Sequence, residues 1–135
     1  MMNHVFISNS LEDYLEAILI LSETNDSVRI TDLAQIMGIA KPSATEAVKS
    51  LVDLGLLKHE KYGPVELTML GKKQAVEVRR RHRLIKKFLT EVLGVPQEIA
   101  EKDACLMEHA VSSDTISRLV FFLESRIGVS EKKEI

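Results

Sequence analysis

The sequence predicts a mainly α-helical protein with one small β-hairpin. Apolar residues recur at helical spacing over most of the chain, Gly and Pro residues mark the ends of those segments, and only 4% of residues are aromatic. With 135 residues, 45% hydrophobic and 28% charged, the chain suits a soluble globular protein of one domain or two small lobes. Its single Cys excludes an intrachain disulfide, so the fold depends on packing.

The first helix is predicted over residues 10–22. Ser10 is its expected N-cap, acidic residues follow in the first turn, and apolar residues then continue at helical spacing. A polar loop leads from this helix to a very short predicted strand at residues 28–30.

Two further short helices follow the polar loop. Thr31 is the expected N-cap of the second helix, which ends at Gly38, and Pro42 suits the first turn of a third helix that runs to Gly55. A tight turn of about four residues joins these two helices, which is typical of a helix-turn-helix.

A β-hairpin is predicted directly after the third helix. Residues 56–61 and 65–68 have the character of two short strands, and the Gly and Pro between them favour a turn. Such a hairpin is the wing of a winged helix-turn-helix. We assign this DNA-binding domain to residues 1–73.

The remaining residues, 74–135, predict a helical dimerisation domain. A long linking helix is expected at about residues 72–93, a second helix from Val95 to about Val111, and a last helix capped by Ser113. The apolar faces of the last two helices are otherwise short of partners, so they are the natural dimer surface. The end of the chain, from Gly128, is predicted to be a frayed tail.

The net charge of −2 conceals a segregation of charge along the chain. Residues 41–87 contain twelve Lys and Arg against five Asp and Glu, whereas the rest contains six against fifteen. A basic segment within a slightly acidic protein is typical of a phosphate-binding face. The alternative is a solvated helix surface, because the arginines at 79–81 and 83 can simply face water.

The third helix is the expected recognition helix, since the second helix of a helix-turn-helix enters the major groove of DNA. Small Ser43 and Thr45 allow close approach to base edges, whereas Lys41 and Lys49 are placed for phosphates. The wing and the basic segment favour DNA binding over a helix-turn-helix that makes protein contacts alone. A symmetric dimer on a palindromic operator is expected. The predicted DNA-binding residues are Thr31, Lys41, Pro42, Ser43, Thr45, Lys49 and Lys61.

A candidate metal-ligand cluster lies in the second domain. Cys105, Glu108 and His109 stand at positions i, i+3 and i+4, so a thiolate, a carboxylate and an imidazole share one face of a helix. The alternative is a small apolar Cys in the core beside a solvated Glu and His.

Two other helices carry further candidate ligands. His82 lies on a mostly apolar stripe of the linking helix, where an imidazole needs a partner, although a satisfied core histidine is the simpler interpretation. Asp13 and Glu16 lie three residues apart on one side of the first helix, which is also compatible with an ordinary solvent-exposed face. Together these residues offer oxygen, nitrogen and sulfur donors.

The chain resembles the metal-dependent regulators typified by the diphtheria toxin repressor and the manganese transport regulator. This resemblance covers about residues 8–126 and implies a homodimeric DNA-binding repressor with Fe(II) or Mn(II) as co-repressor. The resemblance implies the architecture of the short, two-domain members of this family, which lack the SH3-like domain of the longer iron-type members. The resemblance is carried by the winged helix and by residues 11–18, 60–62, 67–68, 71–72, 81–84 and 105–109.

The resemblance also implies a hybrid metal site. Asp13 matches the manganese type, whereas Cys105 stands where the iron type has Cys and the manganese type has Glu. Lys86 replaces a carboxylate of the iron type's ancillary site, although Glu101 could still join His82 there. The implied metal ligands are Asp13, Glu16, His82, Glu101, Cys105, Glu108 and His109.

Thiolate donors favour Fe(II) and carboxylates suit Mn(II), while Zn(II), Co(II) or Ni(II) are expected to substitute in vitro. One alternative function is a metal-independent regulator that senses a small molecule or redox state through Cys105. Another is a small metallohydrolase with Glu108 as base, but the sequence has no oxyanion-hole motif or second acid-base pair. No apolar run is long enough for a membrane span and no secretion signal is evident, so a cytoplasmic protein is expected.

Overall fold

The computed structural model describes residues 7–127 and is mainly helical, as the sequence predicts. The chain divides into two compact units between Val78 and Arg79, slightly later in the same helix than the boundary expected after residue 73. The predicted tail from Gly128 lies outside the described residues. Over the described part of the chain, every helix is too short or too polar to cross a membrane.

The first unit contains three helices, a two-stranded sheet and the start of a fourth helix, and the second unit contains the rest of that helix and two more. The elements are α1 (Asn9–Thr24), α2 (Ile30–Met37), α3 (Lys41–Asp53), β1 (Leu57–His59), β2 (Val65–Leu67), α4 (Met69–Lys87), a π-helical turn (Phe88–Val92), α5 (Gln97–Ala110) and α6 (Ser113–Ile127).

Helix α1 begins earlier than the sequence predicts. Its N-cap is Ser8, whose Oγ accepts a hydrogen bond from the Leu11 N–H at 3.2 Å, so the prediction of Ser10 was wrong. Ser10 already lies within the first turn, beyond the extended position from which a cap reaches the unpaired N–H groups. The face that α1 turns to the core carries Leu15, Ile18 and Leu19.

The predicted strand at residues 28–30 was wrong. Val28 forms only an isolated bridge with Val65, whose N–H donates to the Val28 carbonyl at 2.7 Å. Ile30 is already the first residue of α2, so too few extended residues remain for a ladder.

The N-cap of α2 is Arg29, not Thr31. The Asp32 carboxylate accepts a hydrogen bond from the Arg29 backbone N–H at 3.0 Å, and this places the helix start before Thr31. The helix ends as predicted at Gly38, whose φ of 68° is the left-handed conformation that glycine adopts at least cost.

Helix α3 follows after a short turn, with Pro42 in its first turn as expected. The side chains of Ala44, Val48 and Leu51 are buried in the core of the first unit. Because these residues are spaced three and four apart, one side of α3 is apolar and the opposite side is exposed.

The wing is an antiparallel pair with the register Leu57↔Leu67, Lys58↔Glu66 and His59↔Val65. After β2, Thr68 fixes the start of α4: its Oγ1 accepts the Gly71 N–H at 3.0 Å and donates to the Gly55 carbonyl at 2.8 Å. Gly71 is required here, because a Cβ at this position would lie 1.9 Å from the Leu56 carbonyl oxygen.

The second unit has its own apolar core between α4, α5 and α6. Helix α6 is capped by Ser112, whose Oγ accepts the Thr115 N–H at 3.2 Å, so the prediction of Ser113 was wrong by one residue. The predicted linking helix corresponds to α4 and the π-helical turn together. The buried residues of this core are Leu84, Ile85, Leu89, Ala100, Ala104, Ile116, Val120 and Leu123.

Candidate functional site

The exposed side of α3 carries the predicted DNA-binding residues. Lys41, Pro42, Ser43, Thr45 and Lys49 are all exposed, on the side opposite the buried alanines and leucine of the same helix. The Thr45 hydroxyl donates to the Lys41 carbonyl at 3.0 Å, so its oxygen is left to act as an acceptor toward other groups. Helix α3 therefore presents a polar side to solvent, while its apolar side is held in the core of the first unit.

The turn of the wing is connected to the start of α2. Arg29 Nη1 donates to the Tyr62 carbonyl at 3.4 Å, and Tyr62 itself has a φ of 63° and an 86% exposed side chain. The Lys61 ammonium lies 5.4 Å from the centre of the Tyr62 ring. Two predicted DNA-binding residues lie here, Thr31 in the first turn of α2 and Lys61 in the turn of the wing, and both are exposed.

Sequence reasoning missed Arg29 and Tyr62 at this end of the unit. The two residues are 33 positions apart, and no local pattern indicates that a side chain of one will meet the backbone of the other. A tyrosine in the left-handed region is also unexpected, because glycine normally takes such positions.

In the second unit, α5 brings two predicted metal ligands together. The Cys105 Sγ lies 3.9 Å from His109 Nε2, one helical turn away, and the Cys105 side chain is partly buried. The thiol and the imidazole are therefore on one face of α5, as their spacing predicts.

Glu108 is buried and faces α4. Its Oε1 accepts a hydrogen bond from Arg81 Nε at 3.1 Å, and its Oε2 lies 3.1 Å from His82 Nδ1. His82 thus has the polar partner that its place on an apolar stripe requires. Sequence reasoning treated Arg81 as a residue that could face water, and its partner is 27 residues away.

His82 also faces a second carboxylate. Its Nε2 lies 2.8 Å from Glu101 Oε2, while the Lys86 ammonium lies 3.0 Å from Glu101 Oε1. Partial burial raises the pKa of Glu101, but the hydrogen bonds and positive charges of Lys86 and His82 outweigh burial and hold that pKa below its usual range.

The last two predicted ligands, Asp13 and Glu16, lie on α1 in the first unit. Both side chains are partly buried, and their spacing of three residues places them on one side of the helix. Their joint use with the ligands of α5 stays a prediction.

Part of the basic segment is paired with acids. Arg80 forms an ion pair with Glu124 on α6, in addition to the pairs that Arg81 and Lys86 make with α5. These three cations are therefore held within the second unit, whereas the exposed lysines of the first unit lie on α3, in the wing and at the start of α4.

Two family models match the chain. The N-terminal DNA-binding domain of iron-dependent repressors matches residues 7–65, and their metal-binding and dimerisation domain matches residues 68–126. Both halves of the predicted architecture thus correspond to a known domain of this kind.

Curated relatives and solved structures agree with the family models. An HTH-type transcriptional regulator of Methanocaldococcus jannaschii is 38% identical over 87% of this chain and 95% of its own length. The transcriptional regulator MntR of Escherichia coli is 37% identical over 84% of this chain and 73% of its length. A manganese-dependent transcriptional repressor, solved with manganese, superimposes with a TM-score of 0.75 at 32% identity and covers 90% of this chain.

The chain spans about half the length of that solved repressor, 54%. The predicted resemblance is nevertheless confirmed over nearly the whole chain, from the winged helix to the helical second unit. The chain therefore belongs to the iron-dependent repressor family of metal-dependent transcriptional regulators.

Proposed function

We propose that this protein is a transcriptional repressor that binds palindromic operator DNA as a homodimer when Fe(II) or Mn(II) is bound, and so controls metal-ion homeostasis. The observation that carries the proposal is the pairing of the Cys105 thiol with the His109 imidazole at 3.9 Å, in a chain that also has an exposed recognition helix. The names of the matched relatives support the same function.

The donor chemistry fits a divalent cation. Two ligands that bind one metal ion, one through sulfur at about 2.3 Å and one through nitrogen at about 2.1 Å, lie about 3.1–3.6 Å apart. Cys105 and His109 need to move little to reach that separation. We assign the oxygen donors of this site to Asp13, Glu16 and Glu108, whose carboxylates suit Mn(II) and Fe(II).

The proposed ligands come from both units of the chain. Asp13 and Glu16 belong to α1, whereas Cys105, Glu108 and His109 belong to α5. A bound cation supplies positive charge that offsets the repulsion between these carboxylates and holds them together. Metal binding and DNA binding then become linked, with a coupling free energy typically of about 1–3 kcal/mol.

On the DNA side, α3 is the proposed reader of the major groove. Ser43 and Thr45 present a small polar surface to base edges, while Lys41 and Lys49 contact phosphates. A dimer would place two such helices about 34 Å apart, on successive major grooves of one operator.

The proposal is tested with DNA selected by the protein itself. Duplexes are selected from a random library with Mn(II) under anaerobic conditions, and a labelled selected duplex is then titrated by fluorescence anisotropy with Fe(II), Mn(II), Zn(II) or chelator. We expect affinity to rise several-fold with Fe(II) or Mn(II) and to fall back with chelator. Binding that ignores both metal and chelator would contradict the proposal.

The contact between Cys105 and His109 also supports a second candidate, a regulator that responds to oxidation of the thiol. This alternative predicts that chelator leaves DNA binding unchanged, whereas a thiol reagent alters it. The same titration, repeated with the metal-free protein before and after alkylation, separates the two functions. We propose no catalytic role, because the matched relatives are named as transcriptional regulators.

A further inference from the structure

Glu101 is held by two cationic or potentially cationic groups, one at each carboxylate oxygen. Oε1 lies 3.0 Å from the Lys86 ammonium, and Oε2 lies 2.8 Å from His82 Nε2. The side chains of His82 and Lys86 are 13% and 29% exposed, whereas that of Glu101 is 56% exposed, so the contact is shielded from water mainly on the side of α4.

The other carboxylate beside His82 is compensated in the same way. Glu108 accepts a hydrogen bond from Arg81 Nε at 3.1 Å, through the oxygen that does not face His82. Each carboxylate around this imidazole thus has a fixed cation of its own.

We propose that Lys86 takes the place of a second metal ion, so that each subunit binds one divalent cation and His82 with Glu101 binds none. The inference rests on the proposed function, which requires the first cation, but it concerns a different group of residues. His82 and Glu101 supply only two donors, fewer than the three or four protein ligands of a typical metal site. The Lys86 ammonium also competes with a metal ion for the Glu101 carboxylate.

Repulsion adds to this competition. A divalent ion bound by His82 and Glu101 would lie within a few ångströms of the Lys86 ammonium, where partial burial weakens the screening by water. Replacing the lysine by a carboxylate reverses the sign of that interaction and adds a third donor. Because residue 86 lies one helical turn after His82, the new donor is on the same face of α4.

The test counts Mn(II) per subunit by anaerobic equilibrium dialysis and atomic emission, with circular dichroism to confirm folding. We expect one Mn(II) in the wild type and two in Lys86→Glu. Lys86→Arg keeps the cation and should bind one. Lys87→Glu, which makes the same change of charge about 100° further round the helix, should also bind one.

Two equivalents in the wild type, or only one in a folded Lys86→Glu variant, would overturn the inference and leave the proposed function standing. If Lys86→Glu does not fold, Lys86→Gln decides, since removing the ammonium alone should admit a second, weaker Mn(II). A wild type that binds no Mn(II) contradicts the proposed function itself, and the inference with it.

Discussion

Arg81 and Glu108 form an ion pair that is largely removed from solvent. Their Nε and Oε1 atoms are 3.1 Å apart, and the two side chains are 18% and 8% exposed. A buried carboxylate that loses its guanidinium keeps the cost of desolvation without the compensating attraction. The pair therefore makes the second unit sensitive to a change in either partner.

The first prediction concerns this pair. Arg81→Met should lower the free energy of unfolding of the metal-free protein by about 2–4 kcal/mol, because it leaves Glu108 buried with less compensation. Arg118→Met is the control: Arg118 and Asp114 are 80% and 75% exposed, so its loss should cost less than about 0.5 kcal/mol. Chemical denaturation at one protein concentration measures both. If both variants lost the same free energy of unfolding, burial of the pair between Arg81 and Glu108 would make no difference to stability.

The second prediction concerns the close approach of α4 to the segment before β1. In Gly71→Ala, the new Cβ would lie 1.9 Å from the Leu56 carbonyl, so α4 must shift and stability should fall by about 2 kcal/mol or more. At Gly38 an added Cβ meets nothing within 4 Å, and Gly38→Ala carries only the left-handed penalty of about 1 kcal/mol. Thermal and chemical unfolding should rank Gly71→Ala as the more harmful. The reverse order would contradict the close packing.

Local patterns predicted the helices well and their caps poorly. The apolar spacing that defines α1 is repeated over several turns, so a single ambiguous residue does not hide it. A cap depends on one side chain, and Ser8 and Ser10 offer the same hydroxyl two residues apart. The start of α2 is set by the Asp32 carboxylate, which accepts a hydrogen bond from the backbone N–H of Arg29, three residues earlier.

The candidate metal centre was predictable where its residues share one helix. The spacing of Cys105 and His109 alone places both on one face of α5, and the structure shows their contact. The link between Arg81 and Glu108 depends on how α4 and α5 are rotated against each other, which no local pattern records. Tertiary packing therefore decides which cation neutralises which carboxylate.

The third prediction concerns DNA affinity. Lys49→Ala should weaken operator binding at every metal concentration and reduce the dependence of log affinity on log salt by about one unit, because one phosphate contact is lost. Lys102→Ala removes an exposed lysine of α5 and should change neither quantity. Anisotropy titrations at several salt concentrations measure both variants. An unchanged salt slope in Lys49→Ala would place that lysine away from the DNA backbone.

The fourth prediction concerns coupling between metal and DNA. Asp13→Ala removes a proposed carboxylate ligand, so it should weaken the metal-dependent gain in operator affinity and leave the fold and the metal-free affinity intact. Asp26→Ala removes an exposed carboxylate from the loop after α1 and should behave as the wild type. Operator titrations with and without Mn(II) give the gain for each variant. Full activation of Asp13→Ala by Mn(II) would remove Asp13 from the site.

The last prediction concerns the choice of metal. Cys105→Glu exchanges a soft thiolate for a hard carboxylate at the position where the sulfur lies 3.9 Å from His109 Nε2. Affinity for Zn(II) should fall by about an order of magnitude relative to that for Mn(II), since thiolate ligands favour zinc and carboxylates favour manganese. Competition with a calibrated chelator measures the two affinities, and Cys105→Ser separates the loss of sulfur from the gain of charge. If the ratio of affinities is the same in the wild type and in Cys105→Glu, the thiolate is not a ligand, and the metal is chosen by the remaining donors.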